Sequence, residues 1–285
     1  AVGWSTSHLC LGRLVQFRSP PEMSIKVNDN WWQHLFDGIY LITDIRSVGD
    51  EQLTCREVDC LEEILGPDKS TPVLDLCGGQ GRHSLELSRR GFRKVTVLDY
   101  SRYLVELGEK RAKKEKLNTV FVPGDARNTG LPGQSFRFVI IMGSSFGYFM
   151  NEDENKKIME EAFRLLAPGG TLLLDLPDRD YVLQNFKPFS RHEVNEDVTV
   201  IRERELGEDV IYSRETVTSR KEGCLRERTY CIRLYHSEKI SGLMTAAGFS
   251  SVTCRKNFMS RGGEGDYGFL TNRMIVIARK GQRVK

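Results

Sequence analysis

The 285-residue sequence predicts an α/β fold with a mostly parallel sheet and an antiparallel β insertion late in the chain. From residue 73 to 176, short apolar runs of strand length alternate with longer amphipathic segments, the pattern of βαβ units. A glycine-rich turn joins the first of these runs to a helix. Between residues 198 and 235, apolar and charged residues alternate, which indicates antiparallel strands with one face in water.

The elements follow in chain order. Residues 1–22 are expected to be a poorly ordered extension, and the domain is expected to begin at residue 23. Helices are predicted over residues 31–45 and 55–65, which form an N-terminal helical cap (23–66). Strands of the alternating region are predicted at 73–77, 94–100, 119–122, 138–142 and 171–176. The helices between them are predicted at 81–90, 101–117 and 152–166, the second of them capped by Ser101.

The later elements break this rhythm. The insertion (181–235) has predicted strands at 198–201, 210–217 and 225–235. A helix over 237–247, capped by Ser237, and strands at 251–254 and 274–278 complete the domain.

Composition excludes several classes of protein. No apolar run approaches the roughly 20 residues that cross a bilayer, so no membrane span is predicted. A net charge of +3 does not indicate a nucleic-acid-binding face. Seven cysteines without a Cys-x-x-Cys pair predict no zinc or other metal site. They favour reduced thiols and a cytoplasmic location.

The glycine-rich turn is the main functional signal. It occupies residues 75–81, with the sequence Asp-Leu-Cys-Gly-Gly-Gln-Gly, between a buried strand and a helix N-terminus. Glycines there let the backbone approach a ligand closely. The dinucleotide pattern G-x-G-x-x-G is incomplete, because Ser84 stands at its third glycine.

Carboxylates follow the next two strands. Asp99 ends the second strand and can accept hydrogen bonds from both ribose hydroxyls of a dinucleotide or of S-adenosylmethionine (SAM). Asp125 ends the third strand and can accept a hydrogen bond from an adenine amino group. Ligands of parallel sheets bind at the carboxyl ends of the strands, so these side chains are expected to converge with Asp75.

The turn at 75–81, Asp99, Gly124-Asp125 and the run Leu-Ala-Pro-Gly-Gly at 166–170 together resemble the successive motifs of class I SAM-dependent methyltransferases. The resemblance implies a Rossmann-like sheet of seven strands, helices on both faces and a last, antiparallel strand at 274–278. Cys77 departs from the pattern, since the family usually has its first glycine there, and we expect that substitution to cost little.

The resemblance also implies the cofactor site. The three turn glycines would line the methionine part of SAM, Asp99 would hold the ribose and Asp125 the adenine. An N-terminal segment would fold over the cofactor. The predicted cofactor-binding residues are Trp31, Tyr40, Asp75, Gly78, Gly79, Gly81, Asp99, Tyr100, Asp125, Ala126, Met142 and Gly143.

Residues 144–148 and the insertion resemble the small-molecule methyltransferases of the glycine/sarcosine N-methyltransferase-like group. In that group the insertion covers the active site. The resemblance implies methyl transfer to a nitrogen or oxygen of a small molecule. We expect the protein to be a monomer or homodimer. The candidate catalytic residues are Tyr148, His192, Arg233 and Tyr235.

Two alternatives stay open at this stage. An RNA or protein methyltransferase is suggested by basic residues of the insertion, such as Arg202, Arg214 and Arg226. Acidic residues interleave with them, however, which is typical of a solvated face. A nucleotide-binding oxidoreductase is disfavoured by the missing third glycine and by Asp125.

Overall fold

The computed structural model describes residues 23–258 and 272–282, so the extension predicted for residues 1–22 lies outside the described residues. The helices are α1 (Trp32–Leu35), α2 (Gly38–Thr43), α3 (Ile45–Val48), α4 (Glu51–Leu65), α5 (Arg82–Arg89), α6 (Arg102–Glu115), α7 (Glu152–Leu165), α8 (Arg179–Gln184) and α9 (Ser237–Ala246). The strands are β1 (Val73–Leu76), β2 (Val95–Asp99), β3 (Val120–Pro123), β4 (Phe136–Ile141), β5 (Leu166–Pro177), β6 (Phe189–Glu193), β7 (Val198–Leu206), β8 (Val210–Ser219), β9 (Gly223–Arg233), β10 (Ser251–Phe258) and β11 (Arg273–Arg279).

The central sheet has seven strands in the order β10-β11-β5-β4-β1-β2-β3. Strand β1 pairs in parallel with β2 and β4, whereas β11 runs antiparallel to both β5 and β10. The predicted Rossmann-like α/β fold with an antiparallel last strand is therefore confirmed.

Both faces of this sheet are covered by apolar side chains. Along β5, Leu172 and Leu174 pack into one core layer and Leu173 packs into the other, as the two-residue period of a strand requires. Residues 138–141 of β4 and 172–174 of β5 are buried without interruption, which explains why they appear in the sequence as unbroken apolar runs.

The insertion between β5 and β10 forms a second, antiparallel sheet in the order β6-β7-β8-β9. This confirms the predicted antiparallel insertion. The prediction that one of its faces is solvated is wrong for four charged residues, because Arg202, Arg204, Glu215 and Arg226 are all buried. The side chains of Arg202, Glu215 and Arg226 are only 6%, 3% and 4% exposed.

Two local predictions differ from the structure. The single helix predicted over residues 31–45 is broken into α1, α2 and α3. The break precedes Asp37, whose carboxylate accepts hydrogen bonds from the backbone N–H groups of Ile39 and Tyr40 and so begins a new helix. Ser237 does not cap α9, because His236 occupies the N-cap position. The predicted cap of α6 is confirmed: the Ser101 hydroxyl accepts from the backbone N–H of Leu104.

No helix within the described residues is both long and apolar enough to span a bilayer.

Candidate active site

A cavity of about 220 Å³ lies where β1, β2, β3 and β4 end. Its walls come from the loops after these strands, from the N-terminal helices and from the inserted sheet. Eleven of the twelve predicted cofactor-binding residues line it; Gly81 is the exception. Gly81 instead begins α5 with a φ of 72°, and a Cβ atom there would approach the Phe121 ring to 2.8 Å. The geometry gives Gly81 a packing role.

The glycine turn brings the ends of β1 and β2 together. A Cβ atom on Gly78 would lie 2.6 Å from Cγ of Asp75, so no larger residue fits. The backbone N–H of Gly79 donates to Oδ2 of Asp99 (2.8 Å) and that of Ser101 donates to Oδ1 (2.8 Å). Burial raises the pKa of Asp99, against the effect of these two hydrogen bonds. The Asp99 carboxylate is thus fixed at the cavity edge.

Asp125 occupies the adjacent part of the cavity in an ion pair with Arg127. Nη2 of Arg127 lies 2.6 Å from Oδ2 of Asp125, and the two side chains are 25% and 30% exposed. Burial acts to raise the pKa of Asp125, but the hydrogen bonds from Arg127 outweigh it and the pKa is lowered. Any amino group that binds Asp125 shares the carboxylate with Arg127.

Two buried side-chain oxygen atoms of the cavity lining have no hydrogen-bond partner among the described residues: Oδ1 of Asp75 and Oγ of Ser144. The other oxygen of Asp75 accepts from the Ser84 hydroxyl (2.8 Å), and burial raises the pKa of Asp75 to about 7. Ser144 has a φ of 60°, which is rare for a side-chain-bearing residue. Buried polar atoms are nearly always satisfied, so a bound ligand is the natural partner of both.

The lining fits SAM. Asp75, Asp99 and Asp125 offer acceptors for the amino and hydroxyl groups of a nucleoside and an amino acid. Arg82 offers a cation for a carboxylate, and buried Met142 adds an apolar surface.

The wall opposite the glycine turn is aromatic. The Trp31 ring lies 5.1 Å from that of Tyr148 and 5.8 Å from that of Tyr230, between ring centroids. Phe36 contacts Tyr148 (5.6 Å, stacked) and Tyr40 (5.0 Å, edge-on). These five rings form one continuous surface facing the cavity.

Comparison with known proteins agrees with this geometry. The family described as "Methyltransferase domain" matches residues 73–170, which contain the glycine turn, Asp99 and Asp125. Residues 73–170 are therefore similar to a methyltransferase domain. A ubiquinone/menaquinone biosynthesis C-methyltransferase from Ruegeria sp. (strain TM1040) is 32% identical over 137 residues, 47% of this chain and 52% of that protein. A glycine/sarcosine N-methyltransferase from Halorhodospira halochloris is 31% identical over 117 residues, 41% of this chain and 43% of that protein. The chain thus spans about half the length of the curated relatives it matches.

Solved structures extend the similarity beyond the matched region. A SAM-dependent methyltransferase from Clostridium acetobutylicum superposes with a TM-score of 0.67 at 18% identity, covering 85% of this chain and 96% of that one. The CcbJ methyltransferase from Streptomyces caelestis superposes with a TM-score of 0.69 at 16% identity, covering 89% and 100%. At these identities the similarity concerns the fold.

Of the four predicted catalytic residues, only Tyr148 lines the cavity within the described residues. His192 is buried on β6, away from the lining. Arg233 donates to the carbonyl of Met150 (2.8 Å), and Tyr235 packs its ring 5.5 Å from that of Phe146. Arg233 and Tyr235 thus contact the loop after β4.

Sequence reasoning missed the charged residues that the inserted sheet contributes to the cavity wall: Arg202, Arg204, Glu215 and Arg226. Their interleaved charges suggested a solvated face. One signal could have found them. Tyr230 and Ile232 lie on the same face of β9 as Arg226, and they also line the cavity.

A buried ion network beneath the cavity was missed as well. Arg273 on β11 forms ion pairs with Glu57 on α4 and Asp175 on β5, and all three side chains are fully buried. Oδ2 of Asp175 also accepts from the backbone N–H of Gly143 (2.8 Å), which fixes the loop after β4.

The network reaches the cavity a second time through α5. Glu57 pairs with Arg82 and with Nε2 of His83 (2.9 Å). Burial, together with the Arg82 charge, lowers the pKa of His83 to about 4. His83 is therefore neutral near pH 7, and its observed contact is structural.

Proposed function

We propose that this protein is a SAM-dependent methyltransferase that transfers a methyl group to a nitrogen or oxygen of a small molecule. One observation carries the proposal: the cavity joins the three carboxylates of the sheet to an aromatic wall formed by the N-terminal helices and the inserted sheet. An acceptor has to fit between these layers, which favours a small molecule over a polymer.

SAM, when bound, supplies an electrophilic methyl group on a sulfonium. The residues of this chain would contribute alignment and exclusion of water, which can supply much of the rate. Burial raises the pKa of Tyr148 well above its ordinary value, so its hydroxyl stays protonated at neutral pH. We assign Tyr148 the role of orienting the acceptor through its hydroxyl and ring, without acting as a general base.

Of the two curated relatives, one is named as a C-methyltransferase and the other as an N-methyltransferase. A sugar N-methyltransferase from Streptoalloteichus sp. ATCC 53650 also superposes over 96% of this chain, with a TM-score of 0.62 and 18% identity. An aromatic wall suits an amine acceptor, because the methylated ammonium product is attracted to ring faces.

A polymer acceptor is less favoured by the inserted sheet. Its buried arginines pair with acids of the same chain, and exposed ones such as Arg214 pair with neighbours such as Glu203. A cytoplasmic location and a monomeric or homodimeric state remain predictions.

Methyl-labelled SAM, offered with metabolite, RNA and protein fractions separately, tests the proposal. We expect label in the metabolite fraction alone. Asp99→Ala should abolish this labelling. Asp153→Ala, which changes an exposed acid of α7, is the control and should retain transfer. Label in the RNA or protein fraction would mean that the acceptor is a polymer and not a small molecule.

The adenine assignment has its own test. Asp125→Ala removes the acceptor for the amino group, and we expect SAM affinity to fall about tenfold, the factor for about 1.4 kcal/mol. Isothermal titration with SAM measures it, again with Asp153→Ala as the control. Unchanged affinity would show that Asp125 serves only its ion pair with Arg127.

A further inference from the structure

Arginines of the inserted sheet contact both ends of helix α2. At its beginning, Nη1 of Arg226 donates to Oδ1 of Asp37 (2.7 Å) and to the carbonyl of Leu35 (3.1 Å). At its end, Nη2 of Arg202 donates to Oδ2 of Asp44 (3.1 Å). Asp37 and Asp44 are the N-cap and C-cap residues of α2, so the two contacts restrain the whole helix.

Glu215 joins the two arginines. Its Oε1 accepts from Nη2 of Arg226 (2.7 Å) and its Oε2 accepts from Nε of Arg202 (2.8 Å). Glu215 on β8 stands directly opposite Arg202 on β7, so the sheet register sets the geometry of that pair. Removing charges from water is costly, and such a group persists only when its partners are well placed. The result is a continuous acid–arginine chain from Asp37 to Asp44, which we call the α2 clamp.

The α2 clamp determines where Tyr40 lies. Tyr40 is the cavity-lining aromatic residue of α2. The same cavity is lined by Asp44 and Arg202 on the clamp side and by Arg82 and Asp99 on the cofactor side. Tyr40 therefore bridges the two halves of the cavity, and any movement of α2 displaces it.

We propose that Glu215 is a positioning residue: by holding Arg202 and Arg226 against both ends of α2, it keeps Tyr40 over the bound cofactor, and the clamp must open for S-adenosylhomocysteine (SAH) to leave. This inference rests on the proposed function for the identity of the ligand. The closed state of α2 in the free protein does not depend on that identity.

Glu215→Gln tests the clamp, because the glutamine retains the shape of the side chain and removes the charge. Trp31 and Trp32 line the cavity, so stopped-flow tryptophan fluorescence can follow SAH release. We expect the dissociation rate to rise about tenfold, the factor for about 1.4 kcal/mol. Hydrogen exchange of α2 in the ligand-free protein should also rise. Glu203→Gln is the matched control, since Glu203 pairs with Arg214 on the same two strands but is exposed.

Asp37→Asn and Asp44→Asn open one end of the clamp each and leave the inserted sheet intact, should Glu215→Gln unfold it. Asparagine caps a helix as well as aspartate, so α2 still forms. Each variant should raise α2 exchange and SAH release while exchange of β7 and β8 stays at the wild-type level. Wild-type exchange and release in these variants would overturn the proposal. If SAH fails to bind the wild-type protein, the proposed function fails, and α2 exchange in the free protein still decides the clamp.

Discussion

At the scale of single residues, Cys77 shows a local conflict between side chain and backbone. Its φ is 61°, in the left-handed region that favours glycine, and its side chain packs against the core beneath the sheet. The expectation that Cys77 costs little stability considered only the volume of its side chain. A left-handed conformation costs a side-chain-bearing residue roughly 1–2 kcal/mol whatever its size.

Substitutions at Cys77 should follow backbone preference. We expect Cys77→Val to lower the free energy of unfolding by about 1–2 kcal/mol, because a branched Cβ tolerates positive φ least. Cys77→Gly, the matched control, should equal or exceed the wild-type value. Urea denaturation measures both. A valine variant as stable as the glycine variant would mean that the turn relaxes away from its left-handed conformation.

Asp75 should make stability depend on pH. Burial raises its pKa from 3.8 to about 7, so between these values the folded chain holds a proton that the unfolded chain has lost. The contribution of Asp75 to the free energy of unfolding is therefore present below about pH 4 and lost as the pH rises to about 7. Asp75→Asn should remove this decline when urea denaturation is repeated across that range. An identical pH profile in the variant would show that Asp75 is ionised in the folded protein.

The residues that sequence reasoning missed share one cause. Alternation along β7 and β8 tells which side chains share a face, but not what covers that face. The cover for Arg202 and Arg226 comes from Asp44 and Asp37, which lie 158 and 189 positions away. The carboxylates were predictable because each one lies at or just beyond the carboxyl end of a strand, which a parallel sheet places at the ligand edge.

At the scale of elements, helices and strands with strong periodicity were predicted within a few residues, and weak ones were not. Strand β1 was predicted at 73–77 and observed at Val73–Leu76. Strand β6 was missed, because it has few apolar side chains and gains its order from pairing with β7. The N-terminal helices were merged into one, because aromatic spacing masked the capping role of Asp37.

Substitution of Arg273 tests how α4, β5 and β11 are held together. Arg273→Met leaves the carboxylates of Glu57 and Asp175 buried without their common cation, which should lower the free energy of unfolding by about 3–5 kcal/mol. Arg279→Met, at the exposed end of the same strand, should change it by less than about 0.5 kcal/mol. Chemical denaturation compares the two. Equal effects would mean that β11 is held by apolar packing alone.

At the scale of the whole molecule, the cavity belongs to no single layer. The sheet supplies the carboxylates, and the N-terminal helices supply Trp31 and Tyr40. The inserted sheet supplies Tyr230 and the arginines of the α2 clamp. A ligand that fills this cavity contacts all three layers. Ligand binding should therefore suppress local opening of all three layers together, because the ligand stabilises the state in which every layer contacts it.

SAH binding should accordingly protect all three layers from hydrogen exchange. We expect slower exchange in α2, in α5 and in β8 together, and stabilisation of about 2.7 kcal/mol at a hundredfold excess over Kd. NAD at the same concentration is the matched control, because Ser84 replaces the third glycine of the dinucleotide pattern. Stabilisation by NAD and not by SAH would favour the oxidoreductase alternative. Protection limited to α5 would mean that the N-terminal helices and the inserted sheet do not close on the cofactor, which leaves acceptor binding to order them.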